Sequence, residues 1–312
     1  MTPQVIDSHL HLWNLEVGEY SWLGPRHGAL FASFLPEQAE RELNASGVDG
    51  AVLIQAEDSL VDTAWLLEVA ERSGWVLGVV GWVQLDDPAL AAGQLAEWLQ
   101  HPLFCGVRHL VHDDPRDDFL ELGAVRESLR QIATAGLAFD IPDAWPRHLA
   151  QATALAADQP DLRIVLDHLG KPPRGGDQLD AWRGELTRFA AHQNTVAKLS
   201  GLRLAGQPYN ADALGFVWDT ALELFGPSRL LWGSDWPMAV AEGYEPTKAV
   251  LDELISTLSE AERAAILGET AIKTYGLSTD KGRMSKQESA KLSDENAELL
   301  TNTSDLTTRG IS

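Results

Sequence analysis

The 312-residue sequence is short of several things, and each shortage excludes something. It has a single cysteine, Cys105, so no internal disulfide can form. That residue sits in the apolar run 103–107 and reads as a buried structural thiol rather than a nucleophile. Lysine and arginine number 24 against 46 aspartates and glutamates, a formal net charge of −22. So acidic a chain is a poor partner for nucleic acid or anionic lipid, both of which need a basic surface. No apolar run approaches the ~20 residues of a membrane span, and the N-terminus shows no cationic, apolar leader. A cytoplasmic protein is the expectation. No glycine-rich phosphate turn follows the first apolar run, which weighs against a doubly wound nucleotide-binding sheet.

What the sequence does have is alternation. Eight short apolar runs cover 5–13, 50–56, 76–85, 105–111, 138–142, 163–170, 195–202 and 229–237, and most end in turn-forming residues. Between them lie helical stretches at 33–45, 58–73, 88–100, 119–135, 146–157, 179–192 and 210–225. A last helix opens on Ser259-Glu260-Ala261-Glu262, a capping box. Parallel neighbours need crossovers, so this pattern predicts an α/β fold, a single-domain (β/α)8 TIM barrel over residues 1–277. Residues 14–32 form a long insertion after the first strand, either a lid or a packed surface loop. Residues 278–312 turn polar and are expected to be a disordered tail, with a frayed helix near 288–300. The tail holds five Lys and Arg against six Asp and Glu, so about −21 of the charge belongs to the barrel.

Barrel enzymes carry their chemistry at the C-terminal ends of the strands. There the first strand offers Asp7, His9 and His11, and strict alternation puts all three on one face opposite Ile6, Leu10 and Leu12. The fourth strand ends in Arg108-His109. A buried arginine needs an oxygen partner, supplied by a substrate or, in a purely structural role, by Asp140. The sixth ends Leu166-Asp167-His168, with His168 sharing a face with Ile164 and Leu166; the eighth ends in Asp235, in phase with Leu231 and Gly233. Three histidines and an acid converging at one mouth are a poor core and a good site. Hydrolysis fits them: Asp235 takes a proton from water while cationic or metal-bound groups stabilise an oxyanion. Lys171 and Lys198 are candidate pocket cations, although Lys198 could simply pair with a neighbouring carboxylate. Trp13, Trp22 and Trp236 can stack on a sugar ring or merely pack.

The segments VIDSHLHLW, GVRH, LDHLGKP, KLSGL and LLWGSDWP, in this order, resemble the amidohydrolase superfamily. They are most similar to its amidohydrolase-related branch of sugar-lactone and dicarboxylate-lactone hydrolases. The resemblance implies that His9, His11 and His168 surround the substrate carbonyl. It implies that Asp235 activates water and later protonates the leaving oxygen. It also implies a substrate contact from Arg108, and with less anchorage from Arg203; Trp22, Trp236 and His109 are the further binding candidates. The metal candidates are His9, His11, His168 and Asp235, for one divalent ion, zinc by preference, or none. Binuclear members place a lysine or glutamate after the fourth strand and a histidine on the fifth. This chain has Arg108-His109 and Asp140 there, so a binuclear centre is not expected. The expected partner is a small lactone, with oligomeric state open. The alternatives are a metal-dependent decarboxylase on the same fold and a non-catalytic barrel that binds a sugar acid.

Overall fold

The computed structural model describes residues 4–173, 177–204, 206–240 and 243–278. The expected tail, and the helix expected within it, lie outside the described residues apart from Ser278. The eight strands are β1 (Ile6–Leu10), β2 (Gly50–Ile54), β3 (Val76–Gly81), β4 (Phe104–Arg108), β5 (Ala138–Ile141), β6 (Arg163–Leu166), β7 (Thr195–Leu199) and β8 (Leu230–Trp232). They form one parallel sheet in sequence order. Closure comes from just past β8. The amide of Asp235 donates to the His9 carbonyl at 2.9 Å, and the amide of His11 donates to the Trp236 carbonyl at 2.7 Å.

The helices are α1 (Pro36–Ala45), α2 (Leu60–Arg72), α3 (Pro88–Trp98), α4 (Gly123–Thr134), α5 (Leu149–Asp158), α6 (Asp177–Ala190), α7 (Ala211–Phe225), α8 (Tyr244–Leu254), α9 (Glu260–Ala264) and α10 (Thr270–Tyr275). Several starts differ from the expectation for local reasons. α1 begins at Pro36 because the residue before a proline is held extended, and Leu35 is (φ −102, ψ 160). The stretch expected from 119 splits at Leu122, whose ψ of 131 interrupts the helical run before α4. α8 was not expected at all. It follows Gly243 and carries Pro246 in its first turn, where a proline forfeits no helical hydrogen bond. The capping box before α9 is present: Glu262 accepts from the Ser259 amide at 2.9 Å, and Ser259 Oγ accepts from the Glu262 amide.

The core has two layers. The larger lies between sheet and helices. The smaller fills the barrel with Ile6, Val52, Val80, Ala138, Val165, Val196 and Leu231, and α10 plugs its lower end with Ala271 and Tyr275. Cys105 belongs to this inner layer, where burial pushes its thiol up and out of the reactive range. Ile6 is therefore an inner residue. Asp7 is not: its carboxylate accepts from the amides of His9 and Ser234 and from the Tyr244 hydroxyl at 2.8 Å, tying β1 to α8. The register of β1 slips between Asp7 and Leu10, which turns His9 inward after Ile6 and corrects the strict alternation read from the sequence.

Candidate active site

At the C-terminal mouth the imidazoles of β1 lie edge to edge. His9 Nε2 and His11 Nε2 are 3.1 Å apart, and Asp235 Oδ1 is 3.7 and 3.5 Å from them. The Nδ1 of His11 is 2.9 Å from the Ile54 carbonyl. A carbonyl only accepts, so Nδ1 carries the proton and Nε2 presents a lone pair to His9. Two facing lone pairs repel, so a proton or a cation must lie between them. His9 Nδ1 in turn faces Lys198 Nζ at 3.1 Å and Asp167 Oδ1 at 3.3 Å, a donor and an acceptor side by side. Burial, with the charge of Lys198, holds His9 neutral, well below the usual histidine range.

Asp235 and His168 reach the site by leaving the strand geometry. Both have left-handed backbone, φ 58 and φ 56. β6 stops at Leu166, and Ile164 and Leu166 face the helices, not the barrel interior. His168 thus points inward for a different reason from the one expected, and Asp167 points inward as well. Its neighbour Ser200 places Oγ 2.9 Å from His168 Nδ1. Gly201 makes room: a Cβ there would lie 2.3 Å from the His168 ring, at a φ of +54. Gly233 does the same beneath His9, where a Cβ would meet His9 Cβ at 2.4 Å. Burial raises the Asp235 pKa, but attraction from the surrounding imidazoles of His168, His9 and His11 overcomes it and holds the carboxyl below the usual range. His168 is pulled down by burial despite Asp235, so it is a neutral donor near pH 7.

Below this floor lies a buried charge network. Lys198 Nζ is 2.7 Å from Asp140 Oδ2 and 3.0 Å from Asp167 Oδ1, and the Tyr275 hydroxyl donates to Asp140. Arg108 Nε donates to Asp167 at 3.0 Å, and its Nη1 donates to the Gln55 carbonyl. The Arg108–Asp140 pair considered from sequence is therefore replaced by Arg108–Asp167, with Asp140 taken by Lys198. Asp167 was missed because strict alternation put it on the helix side. The signal was there: an aspartate inside an apolar strand end next to a histidine.

A cavity opens over the floor, lined by His11, His168, Asp235 and Arg108. Trp13, Trp22, Ala56, Leu110 and Met238 supply its apolar lining, and His112, Asp113, Asp143 and Lys171 its polar lining. Arg203 lines an adjoining cavity that shares Lys171, Asp235 and Met238 with the first, and its guanidinium stacks 4.1 Å over Tyr209. Two binding candidates sit elsewhere. Trp236 is buried edge-on against Phe34. His109 stacks on Phe119 and is held by Asp58, Asp114 and the Trp82 indole, so it fixes the loop whose next residues line the cavity.

The insertion 14–32 is packed against the barrel rather than standing free. The Trp22 indole donates to the Ala56 carbonyl, and the Tyr20 hydroxyl to Asp62 at 2.9 Å. Burial pushes the Asp62 carboxyl up to about 7, against the pull of the Ala56 amide and Tyr20. The folded state then binds this proton more tightly than the unfolded chain. Its stabilising contribution is full below the ordinary carboxylate value of 3.8 and is lost as pH rises through about 7. Thermal melts at pH 6 and pH 8 should show a smaller loss with rising pH in Asp62→Asn than in the parent. Equal losses would remove Asp62 as the cause.

The donor set fits a divalent ion. His9, His11 and Asp235 form one cluster, and His9, Asp167 and His168 a second. The separations of 3.1, 3.5 and 3.7 Å in the first bracket the edge of a zinc tetrahedron, about 3.4 Å for bonds of about 2.1 Å. His168 falls in the second cluster, so the four metal candidates do not form a single set.

A parallel barrel with paired histidines on β1, a histidine after β6 and an acid after β8 is a hydrolase-type (β/α)8 site. The chain belongs to the amidohydrolase family, whose model matches residues 6–277. It is similar to an L-fucono-1,5-lactonase of Burkholderia ambifaria, 36% identical over 242 residues, 77% of this chain and 82% of the relative. An L-fucono-1,5-lactonase of Burkholderia multivorans is 32% identical over 286 residues, 87% of this chain and 96% of the relative. A crystal structure of an amidohydrolase from Burkholderia multivorans with bound zinc matches with a TM-score of 0.80 at 31% identity, covering 88% of this chain and 100% of that one. No helix among the described residues is long and apolar enough to cross a membrane.

Proposed function

We propose that the chain is a hydrolase that opens a small lactone of a sugar acid. The observation that carries this is the Asp235 carboxyl beside three inward imidazoles on the floor of a cavity lined by both apolar and polar residues. The lactonase relatives support the choice of substrate. Asp235 accepts a proton from a water that attacks the ring carbonyl, then returns it to the leaving ring oxygen. A neutral His168, with Ser200 donating to its Nδ1, offers Nε2–H to the developing oxyanion. The Arg108 guanidinium, anchored by Asp167, adds positive charge to the cavity wall. Trp22, backed edge-on by the fully buried Trp13, presents an apolar face to a ring. A divalent ion held by His9, His11 and Asp235 would supply Lewis-acid polarisation of the carbonyl.

We propose that such an ion can occupy the site without being required. Lys198 can donate to His9 Nδ1, so that His9 carries its proton on Nε2 and shares it with His11. Net negative charge across the barrel suits a neutral substrate and helps expel the acid product. A pH-indicator screen of aldonolactones is the test, run before and after exhaustive chelation. Acid release on at least one five- or six-membered aldonolactone is expected, and it should persist in the chelated protein. Loss of all turnover on chelation would overturn the metal-independent part and reopen the decarboxylase alternative. No release on any lactone would overturn the function.

A further inference from the structure

Directly after β5 the chain places Asp143 on the polar side of the cavity with φ 45, a left-handed backbone that non-glycine residues adopt uncommonly. Lys171, after β6, stands beside it at φ 65. The two loops are tied together by the Trp145 amide, which donates to the Gly170 carbonyl at 2.8 Å. Asp143 Oδ2 lies 3.8 Å from Lys171 Nζ. Its other oxygen, Oδ1, is buried and has no hydrogen-bond partner among the described residues. A carboxylate oxygen shielded from water and lacking a donor is unfavourable, and so is the backbone that puts it there. Both sit at one residue of the cavity wall, whose carboxylate faces Lys171 and also attracts the imidazoles of His112 and His168. The 28% of the Asp143 side chain that stays exposed on the cavity wall is the place for a donor on the ligand.

The donor is a hydroxyl rather than a cation, since Lys171, 3.8 Å from this carboxylate, already supplies its counter-charge. A ring hydroxyl can donate to Asp143 and accept from Lys171, which uses both members of the pair. The apolar lining at Trp22 and Met238 then takes the C–H face of the same ring. We propose that Asp143, with Lys171 beside it, recognises a ring hydroxyl and makes the enzyme selective for polyhydroxylated lactones over unsubstituted ones. This rests on the lactonase reading and deepens it. A site built to bond a hydroxyl rejects the analogue that lacks it far more strongly than an apolar pocket rejects a size change.

The test compares kcat/KM for the parent, Asp143→Gly and Asp143→Asn on two lactones. One is the aldonolactone turned over fastest in the screen; the other is δ-valerolactone, which has no hydroxyls. The glycine variant should lose about 30-fold or more on the aldonolactone, the size of one hydrogen bond to a charged group. It should stay within about threefold on δ-valerolactone. Asparagine, which keeps an accepting oxygen and tolerates this backbone, should fall between. Glycine adopts φ 45 freely, so Asp143→Gly should melt no lower than the parent. Equal losses on both lactones, or no loss on either, would overturn the assignment while leaving lactone hydrolysis intact. A parent protein that opens no lactone would overturn the functional reading and this assignment with it.

Discussion

Asp235→Asn should lower kcat on the best lactone by about 10³-fold or more, with the fold intact. The carboxylate has two proton transfers in the proposed reaction, one as base and one as acid, and each such contribution is worth about 10²–10⁴-fold. An amide performs neither. Asparagine is the right replacement because it tolerates the left-handed backbone at this position, φ 58. Loss of activity can therefore be assigned to the carboxyl rather than to strain. The parent should also keep its rate far into mildly acidic solution, because attraction from the imidazoles of His168, His9 and His11, working against burial, holds the Asp235 carboxyl below the usual range. Steady-state kinetics from pH 5 to pH 8 would show this. Residual activity above a few per cent in the variant would take the base role from Asp235.

Lys198→Met should cost about 3–5 kcal/mol of stability, the usual penalty for removing one partner of a buried ion pair. For a barrel of this size that is roughly 6–10 °C in melting temperature. Lys198 is fully buried and lies against two buried carboxylates, so its loss leaves Asp140 and Asp167 facing each other without it. Burial, reinforced by the charge of Asp167, pushes the Asp140 carboxyl up to about 6 even with Lys198 pulling it down. Its raised folded value means that stability from this group is present below 3.8 and declines as pH rises through about 6. Without Lys198 the value rises further, so the deficit of the variant should grow between pH 5 and pH 8. Adding Asp140→Asn should restore part of the loss, since it removes one orphaned charge. Melts of the three proteins at both pH values decide this, and parental stability in Lys198→Met would sink the network argument. Activity should fall as well, because Lys198 and Asp167 together set which nitrogen of His9 carries its proton.

The two experiments probe different links of one chain of cause. In the proposed reaction Asp235 acts on the substrate, whereas Lys198 acts through His9. A useful contrast follows for kinetics: the first should lower kcat without lowering the melting point, and the second should lower both.

Much of the molecule was legible from local pattern. Apolar runs of strand length alternating with amphipathic stretches specified eight β/α units, because period two and period 3.6 each bury one face. The histidines of β1, His168 and Asp235 stood out because polar groups are rare inside barrels and each needs a partner. The face each one uses was another matter. Alternation fails wherever the backbone leaves the strand. The β1 register slip turned His9 inward although Ile6 already points in and Asp7 out, Asp167 faces inward in phase with Val165, and a left-handed backbone brought His168 to the site. Partner choice was equally hidden. Arg108 is separated from Asp167 by 59 residues, and nothing local distinguishes Asp167 from Asp140, the neighbour expected to hold it.

The sequence by itself determined the barrel, the mouth at which chemistry gathers and the residue types available there, since periodicity and burial are local properties of a chain. The tertiary structure alone decided which acid holds Arg108, why His9 is flanked by a lysine and an aspartate, and where Asp143 is left with an unmatched oxygen. Those are distances between segments far apart in sequence, set by strand register and by a few left-handed backbones, and no local pattern encodes them.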